Sequence, residues 1–565
     1  MTKSEPVLAG WLGLLCLALA AVVYLHNTGS EYAATNPDEY LYLQIARLTA
    51  QTGQWLPLQA AKTEHRNTKP PGLFWQGMAA TGFGENWELW RLRLPNALFS
   101  LATAAMAFVL GRRMTGASSA GVIAAAAYLA FLGVYRHGRV FLTSAPETFW
   151  LFLPFFVLIL RRREGIGWGT ALGFGLMLGT GLLYKSFAMI IPSAGALAWY
   201  TLHQGGYRPL IWLRHDAPKI AVLASVALAV FALWFLLDPQ GHFILQDFVL
   251  KENAGKFDAD ETGYLANALW GKHSIWAYSL GWLTNAGLVA PAVLAVFVLG
   301  WRDRRTMSPS EQILWIWIIT LFLFHLLPNI RYERYLLPAM PAVAVLCGLY
   351  WPRIPRWILA ITLAACVVLG FALLAGAALL TGNLTGAVSP YRVMDWILLS
   401  LGPVVAAFAL FGKSWIRALT LPAVLLIYLG FTAFLRPFDG PLGMFPATAS
   451  EAVHGKMVIV PSPFTARDEI YRFLLPGADV RRIKSKDLEK TLGAPDADLF
   501  IVPVSLTAPA TLTGFRVVGT RLKLNDYFTA EETREMLRGR VASHLFGREL
   551  LVTREAGASS GPPER

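Results

Sequence analysis

The feature that most limits how this chain can fold is its series of long apolar runs. A membrane-crossing helix needs roughly 20 mostly apolar residues. Runs of that kind cover residues 7–25, 92–111, 118–135, 146–161, 167–184, 186–202, 218–237, 276–300, 311–328, 334–350, 356–380, 394–412 and 415–435. Only 15% of the residues are charged and the mean hydropathy is +0.47, against about 25% charged residues in a typical soluble domain. The chain reads as a polytopic α-helical membrane protein with about thirteen spans. The division on either side of Lys185 is the least marked.

The net charge of +13 does not signal nucleic acid, because the Lys and Arg residues cluster in short loops between apolar runs. There they set topology. Arg112-Arg113, Arg161 to Arg163, Arg208 to Lys219, Arg302 to Arg305, Arg353 to Arg356 and Lys413 to Arg417 all fall on one side, together with the N-terminus. That side is the cytoplasm. Loops 26–91, 136–145, 238–275, 329–333 and 381–393, the turn at Lys185 and the tail from 436 then face outward. The run Val7–Leu25 is too long for a signal-peptide core and has no small-residue cleavage site after it, so it reads as an uncleaved first span. Cys16, Cys347 and Cys366 lie inside apolar runs and read as small buried residues.

After Leu435 the composition shifts. Pro437, Gly440, Pro441, Gly443 and Pro446 mark a linker over 436–449. Strand-like runs follow at Lys456–Val460, Asp498–Val504 and Phe515–Val518, with helix-like stretches at Ala466–Leu475 and Ala530–Arg538. Residues 450–565 therefore read as a soluble α/β domain, with Gly557–Arg565 disordered. The domain has no nucleotide fingerprint, nucleophile elbow or Cys-x-x-Cys, so it is expected to shape or dock the acceptor and to carry no chemistry.

The long first outward loop holds the densest chemistry. Asp38 and Glu39 sit just past the first span. Tyr42, Ile45, Ala46 and Leu48 follow at helical spacing, with polar residues between them, as in a helix lying along a membrane surface. Lys69 precedes two prolines, which hold its backbone extended. An acid pair and a rigidly presented cation at one membrane face suit an enzyme handling a phosphate-bearing lipid. They equally suit a helix cap and a lysine that snorkels to headgroups. The later outward turns contribute Glu147, Lys185, Glu252, Asn253, Lys256, Arg331, Arg334 and Tyr335. Ionisable groups near the bilayer are expensive and so are functional candidates. Glu147 and Lys185 lie closest to it, whereas Arg136, Arg139 and Arg334 read as ion-pair or headgroup contacts.

The succession Asp38-Glu39-x-x-Tyr42, Gly53-x-Trp55, Lys69-Pro70-Pro71-x-x-x-Trp75 and Arg91-Leu-Arg-Leu-Pro95 resembles the first periplasmic loop of the polyprenyl-phosphate-sugar glycosyltransferases. These are the aminoarabinose transferase (ArnT-like) and protein O-mannosyltransferase group, with the GT-C fold. The resemblance implies that Asp38 is the catalytic carboxylate and that Lys69 contacts the donor phosphate. It matches Tyr42 to the family tyrosine, and Glu147 to a family aspartate. Lys185 looks like the lysine of a Lys-Gly-Pro turn, here Lys-Ser-Phe, and Tyr335-Leu-Leu-Pro338 resembles a Tyr-x-Leu-Pro stretch. Leu41 stands where these transferases have Arg, Thr68 where they have an acid, and Lys251–Phe257 where they have a His-rich loop. A metal site is not indicated and no cofactor is expected.

The implied function is inverting transfer of a sugar from a polyprenyl (undecaprenyl-type) monophosphate to lipid A or another lipopolysaccharide part, at the outer face of a bacterial inner membrane. Asp38 and Glu147 would be the catalytic acids. Lys69, Lys185 and Arg331 would bind the donor phosphate, and Glu39, Tyr42, Tyr335 and Lys256 would contact substrate. The expected partners are the donor, the envelope glycan acceptor and membrane lipids. A protein O-mannosyltransferase or a surface-polysaccharide transferase would use the same donor class. A transporter would show repeated halves and polar groups at the bilayer midplane, whereas here the polar groups crowd one face.

Overall fold

The computed structural model describes residues 10–33, 38–60, 69–161, 165–253, 255, 263–384, 389–440, 442–462, 466–483, 492–493, 497–506, 508–525, 530–537 and 544–555. Lys256 and the segment 557–565 lie outside them. The chain forms two compact units.

The first unit comprises 1–29, 45–375 and 397–431 and is built from apolar helices. Among the described residues, seven helical stretches are long and apolar enough to cross a membrane: Leu89–Thr115, Ala217–Leu237, Tyr264–Asp303, Glu333–Arg353, Arg356–Thr381, Val393–Phe411 and Ile416–Asp439. Shorter apolar helices, Gly10–Leu25, Ser118–Ala130, Ser144–Leu160 and Pro309–Phe324, fall on other expected runs. Helices Trp168–Leu182 and Ile190–Gln204 flank a turn at Lys185, which settles the division there. Helix Met340–Tyr350 runs through the interior, with Ala342 to Cys347 fully buried. Leu228, Leu233, Leu236 and Leu237 of the Ala217–Leu237 helix face outward, an apolar surface suited to lipid.

The expected run 276–300 is not one straight helix. It breaks into Ile275–Ala286 and Ala290–Asp303 around a 3-10 turn, Gly287–Val289. Gly287 has φ +58° and lies so close to Leu132 that a Cβ would meet its side chain at 2.5 Å, so only glycine fits that break.

The second unit comprises 30–44, 376–396 and 432–565. Its centre is a five-stranded sheet of β1 (Met457–Pro461), β2 (Asp479–Ile483), β3 (Leu499–Ser505), β4 (Phe515–Leu524) and β5 (Phe546–Arg554), in the order β2-β1-β3-β5-β4. β1 pairs parallel with β2 and β3, whereas β5 pairs antiparallel with β3 and β4. Side chains alternate between the faces: Val458, Val460, Leu499, Ile501 and Leu551 pack on one side, and Ile459, Phe500, Val502, Leu550 and Val552 on the other. The helix-like stretch Ala466–Leu475 divides into a 3-10 turn, Arg467–Ile470, and one helical turn, Tyr471–Leu474.

The second unit also takes in residues 30–44 from the front of the chain. Helix Asp38–Ala50 forms as the periodicity predicts. Tyr42, Leu43, Ile45, Ala46 and Leu48 are nearly all at or below 5% exposed, with Leu48 at 8%. Its apolar stripe is therefore buried in protein and is not laid open to a bilayer.

Candidate active site

The site in the first unit is assembled around one polar hub. Asn96, on the helix Leu89–Thr115, donates through its side-chain amide to the carbonyls of Val140 and, at 2.6 Å, Leu142. Its Oδ1 accepts from Gln76 Nε2 at 2.7 Å. One buried side chain thus ties the helix Gly72–Ala80, which follows Lys69, to the turn that leads into Glu147. Ser100 Oγ adds a bond to the Gly138 carbonyl at 2.8 Å, and Arg139 reaches the His26 carbonyl at 2.5 Å. Arg139, expected in an ion-pair or headgroup contact, bonds a backbone carbonyl.

The Lys-Pro-Pro turn docks next. Pro70, Pro71 and Gly72 are buried, and the Gly72 N–H donates to the Leu183 carbonyl at 2.9 Å. A Cβ on Gly72 would lie 2.9 Å from that carbonyl oxygen and 3.3 Å from the Tyr184 ring. The missing side chain therefore permits the contact. This docking brings half-buried Lys69 beside the turn that carries Lys185.

Lys185 Nζ donates to Glu147 Oε2 at 2.7 Å and lies 5.1 Å from the centre of the Tyr335 ring. Glu147 is 1% exposed and Lys185 is 20% exposed. Burial draws the Lys185 ammonium below its ordinary pKa range, and the pairing with Glu147 opposes this; Arg334 and Lys69 add repulsion. Glu147 and Lys185 thus share their surroundings with two further cations, Arg334 and Lys69. A group of cations at low dielectric suits an anion. Tyr335 is 8% exposed, and its 3-10 segment Glu333–Ala339 is held by Asn285, whose Nδ2 donates to the Glu333 carbonyl at 2.7 Å.

Arg331 is placed differently. It is 3% exposed and donates to the carbonyls of Leu326, His273 and Asn329 and to the Tyr264 hydroxyl, at 3.0 to 3.3 Å. Its guanidinium pins this loop together. Arg334, half-buried over the Tyr332 ring at 5.4 Å, is the arginine of this loop whose charge reaches Lys185. The sequence pattern favours Arg331 as the phosphate ligand and Arg334 as an ion-pair or headgroup contact, and gives no sign of the carbonyls that engage Arg331. Asn96 and Gln76 carried no motif and were not singled out.

Asp38, Glu39 and Tyr42 belong to the second unit. Asp38 is half-buried, Glu39 fully buried and Tyr42 5% exposed. Both acids stand in the first helical turn of Asp38–Ala50, where the positive end of the helix favours negative charge. Lys256 falls outside the described residues. Among the described residues, no group of three His, Cys, Asp or Glu side chains could hold a metal ion.

Comparison with known proteins sets this geometry in context. Residues 68–235 match the family model described as dolichyl-phosphate-mannose-protein mannosyltransferase. The chain is 27% identical over 350 residues to an undecaprenyl phosphate-alpha-4-amino-4-deoxy-L-arabinose arabinosyl transferase of Pseudomonas fluorescens, covering 60% of this chain and 59% of that protein. It is 26% identical over 324 residues to the corresponding protein of Aeromonas hydrophila, covering 55% of each. The chain thus spans less than two thirds of the length of these curated relatives. Among solved structures, ArnT from Cupriavidus metallidurans bound to undecaprenyl phosphate aligns with a TM-score of 0.61 and 17% identity, covering 98% of this chain and 99% of that one. The apo form aligns at 0.58 with 19% identity. The chain shares its fold with ArnT of Cupriavidus metallidurans and is similar in sequence to arabinosyl transferases over part of their length: a polytopic membrane protein with a C-terminal sheet domain.

Proposed function

We propose that this chain is an inverting glycosyltransferase that moves a sugar from a polyprenyl monophosphate to a lipid A-type acceptor at the outer face of a bacterial inner membrane. The observation that carries the reading is the docking of the Lys69-Pro-Pro-Gly72 turn on Leu183–Lys185, which gathers Lys69, Lys185 and Arg334 around Glu147. The relatives' names support the donor and acceptor classes, and the alternation of basic loops supports about thirteen spans with the N-terminus inside and the sheet domain outside.

In the proposed reaction the acceptor oxygen attacks the anomeric carbon from the face opposite the phosphate. The bond from that carbon to the phosphate oxygen breaks, and its electron pair leaves with the phosphate. Lys69 and Lys185 stabilise the charge that develops there, more strongly in the transition state than in the ground state. Glu147 holds Lys185 in place. Tyr335, with its ring against the Lys185 ammonium, forms part of the same wall. Asp38 accepts the proton of a hydroxyl acceptor; a phosphate acceptor arrives ionised, and Asp38 then orients it. Glu39, Tyr42 and Lys256 are assigned to substrate contact. An open cavity of about 660 Å³, lined by Gln54, Trp55, Leu56, Trp75 and Leu237, offers the isoprenoid chain an apolar wall. Arg331, although expected among the phosphate ligands, is assigned here to holding the loop.

The test is mass spectrometry of lipid A and total glycolipids from cells lacking the gene, complemented with wild type or Asp38→Asn. A sugar-sized mass difference restored by wild type alone supports the reading. Restoration by Asp38→Asn removes Asp38 from its role. No lipid change, with loss of sugar from envelope proteins, favours the protein acceptor suggested by the family model over 68–235.

A further inference from the structure

We propose that Arg521 is a positioning residue for the transfer reaction: through Glu31 it clamps the segment Ser30–Gln44 to the C-terminal sheet and so fixes the start of the helix that presents Asp38 and Glu39. The inference rests on the reading of Asp38 given above, and it gives the sheet domain a part in catalysis although no reacting group lies on it.

Arg521, on β4, has a side chain with no exposure. Its Nη1 donates to Glu31 Oε2 at 3.0 Å and to the Gly443 carbonyl at 3.0 Å, and its Nε donates to Glu549 Oε2 at 2.8 Å. Glu549, 2% exposed on the neighbouring β5, also accepts from Lys523 Nζ at 2.9 Å and from the Tyr471 hydroxyl at 2.6 Å. Two cations and two carboxylates form a balanced buried cluster. Glu31 is its one member from the front of the chain. A carboxylate would not leave water at that point unless the guanidinium were already held by the sheet.

Independent contacts pin the segment on both sides of the acid pair. Before it, Ser30 Oγ donates to Asp439 Oδ1 at 2.7 Å, and the Tyr32 ring meets Phe438 at 5.6 Å, which in turn stacks on Phe546 at 5.4 Å. After it, Tyr40 packs against the buried cluster that includes Phe445, Ala449 and Tyr471. Asp38 and Glu39 lie between these anchors. The sheet is thus a fixed surface on which the acid-bearing turn is mounted, and small displacements of a reacting group are costly in rate.

The experiment uses the full chain in lipid nanodiscs with Glu31→Gln and Glu31→Asp. Glu31→Gln cuts the clamp and leaves the Arg521–Glu549 pair inside the sheet. It should raise hydrogen exchange in the peptide covering 38–44 by about tenfold and lower kcat by about tenfold, with donor KM changing less than about threefold. Peptides of β3 and β5 should exchange as in wild type, and Glu31→Asp should recover part of kcat. Unchanged exchange over 38–44 overturns the clamp. So does faster exchange spread through the whole sheet, which would mark Glu31 as a folding residue only. If wild type itself transfers no sugar to any acceptor, the enzymatic reading fails instead, and the exchange data still decide whether the clamp exists.

Discussion

Two charge clusters among the described residues are made of the same residue types and differ in how far they are closed to solvent. In the second unit, Arg521 is closed off from solvent and donates to two carboxylates and a carbonyl. In the first unit, Lys185 keeps 20% exposure, has one carboxylate partner, and shares its surroundings with Lys69 and Arg334. The first arrangement is closed to solvent, whereas the second stays open to it. Exposure separates the cluster that holds the fold from the one assigned to the donor's phosphate. Arg331, 3% exposed, and half-buried Arg334 repeat the contrast within one short loop.

That comparison can be broken first at its extremes. Lys69→Met should lower turnover about 10²-fold or more, the scale seen when one donor to a developing anion is removed, while leaving the thermal midpoint of the purified protein unchanged. Arg521→Met should do the reverse to stability. It strands Glu549 and Glu31, and breaking a buried pair costs about 3–5 kcal/mol, readable by denaturant unfolding of the sheet unit. A large stability loss in Lys69→Met, or none in Arg521→Met, would erase the distinction.

A finer test uses the two carboxylates of the clamp, which move in opposite directions. Burial raises the Glu31 carboxyl above its usual range, and Arg521 only partly offsets this. Burial also pushes Glu549 up, but Arg521 and Lys523 overcome it and hold that carboxyl well below the usual range. The signs follow by linkage. Glu549 stabilises the fold fully above the ordinary Glu value of about 4.3, and that stabilisation is lost only as pH falls through its depressed folded value. Glu31, with its raised value, is protonated first on acidification and then resembles Gln. As pH falls from neutrality towards the ordinary Glu value of about 4.3, the stability deficit of Glu549→Gln should therefore persist, and the difference between Glu31→Gln and wild type should shrink. Thermal melts of the three proteins across that window measure both. A Glu31→Gln difference that grows on acidification would reverse the assignment.

Much of the helical unit was legible because lipid exposure demands long apolar runs, and each run is visible without knowledge of its neighbours. The break inside run 276–300 is not visible in the sequence because Gly287 looks ordinary in an apolar context; its positive φ answers to Leu132, far away in sequence. In the sheet, β1 and β3 announced themselves by apolar content. β2, Asp-Val-Arg-Arg-Ile, and the end of β4, with Arg521 and Lys523, did not, since their charges point into ion pairs that a strand pattern cannot show. In the site, Lys69, Glu147, Lys185 and Tyr335 came from motif and position and do meet in space. Asn96 and Gln76, which hold their elements together, are single polar residues on otherwise unremarkable helices. Glu31 is equally silent, because its partner lies 490 positions away.

The central claim is that Lys69, Lys185 and Arg334 receive the donor's phosphate and that Arg331 does not. The most direct measurement is the Kd of undecaprenyl phosphate for the purified full-length protein, by native mass spectrometry, in wild type, Lys69→Met, Arg334→Gln and Arg331→Gln. The account predicts about a tenfold or greater loss of affinity, roughly 1.4 kcal/mol or more, for Lys69→Met and Arg334→Gln. It predicts a change of less than about threefold for folded Arg331→Gln. Unchanged binding in Lys69→Met and Arg334→Gln, or a loss confined to Arg331→Gln, would contradict it.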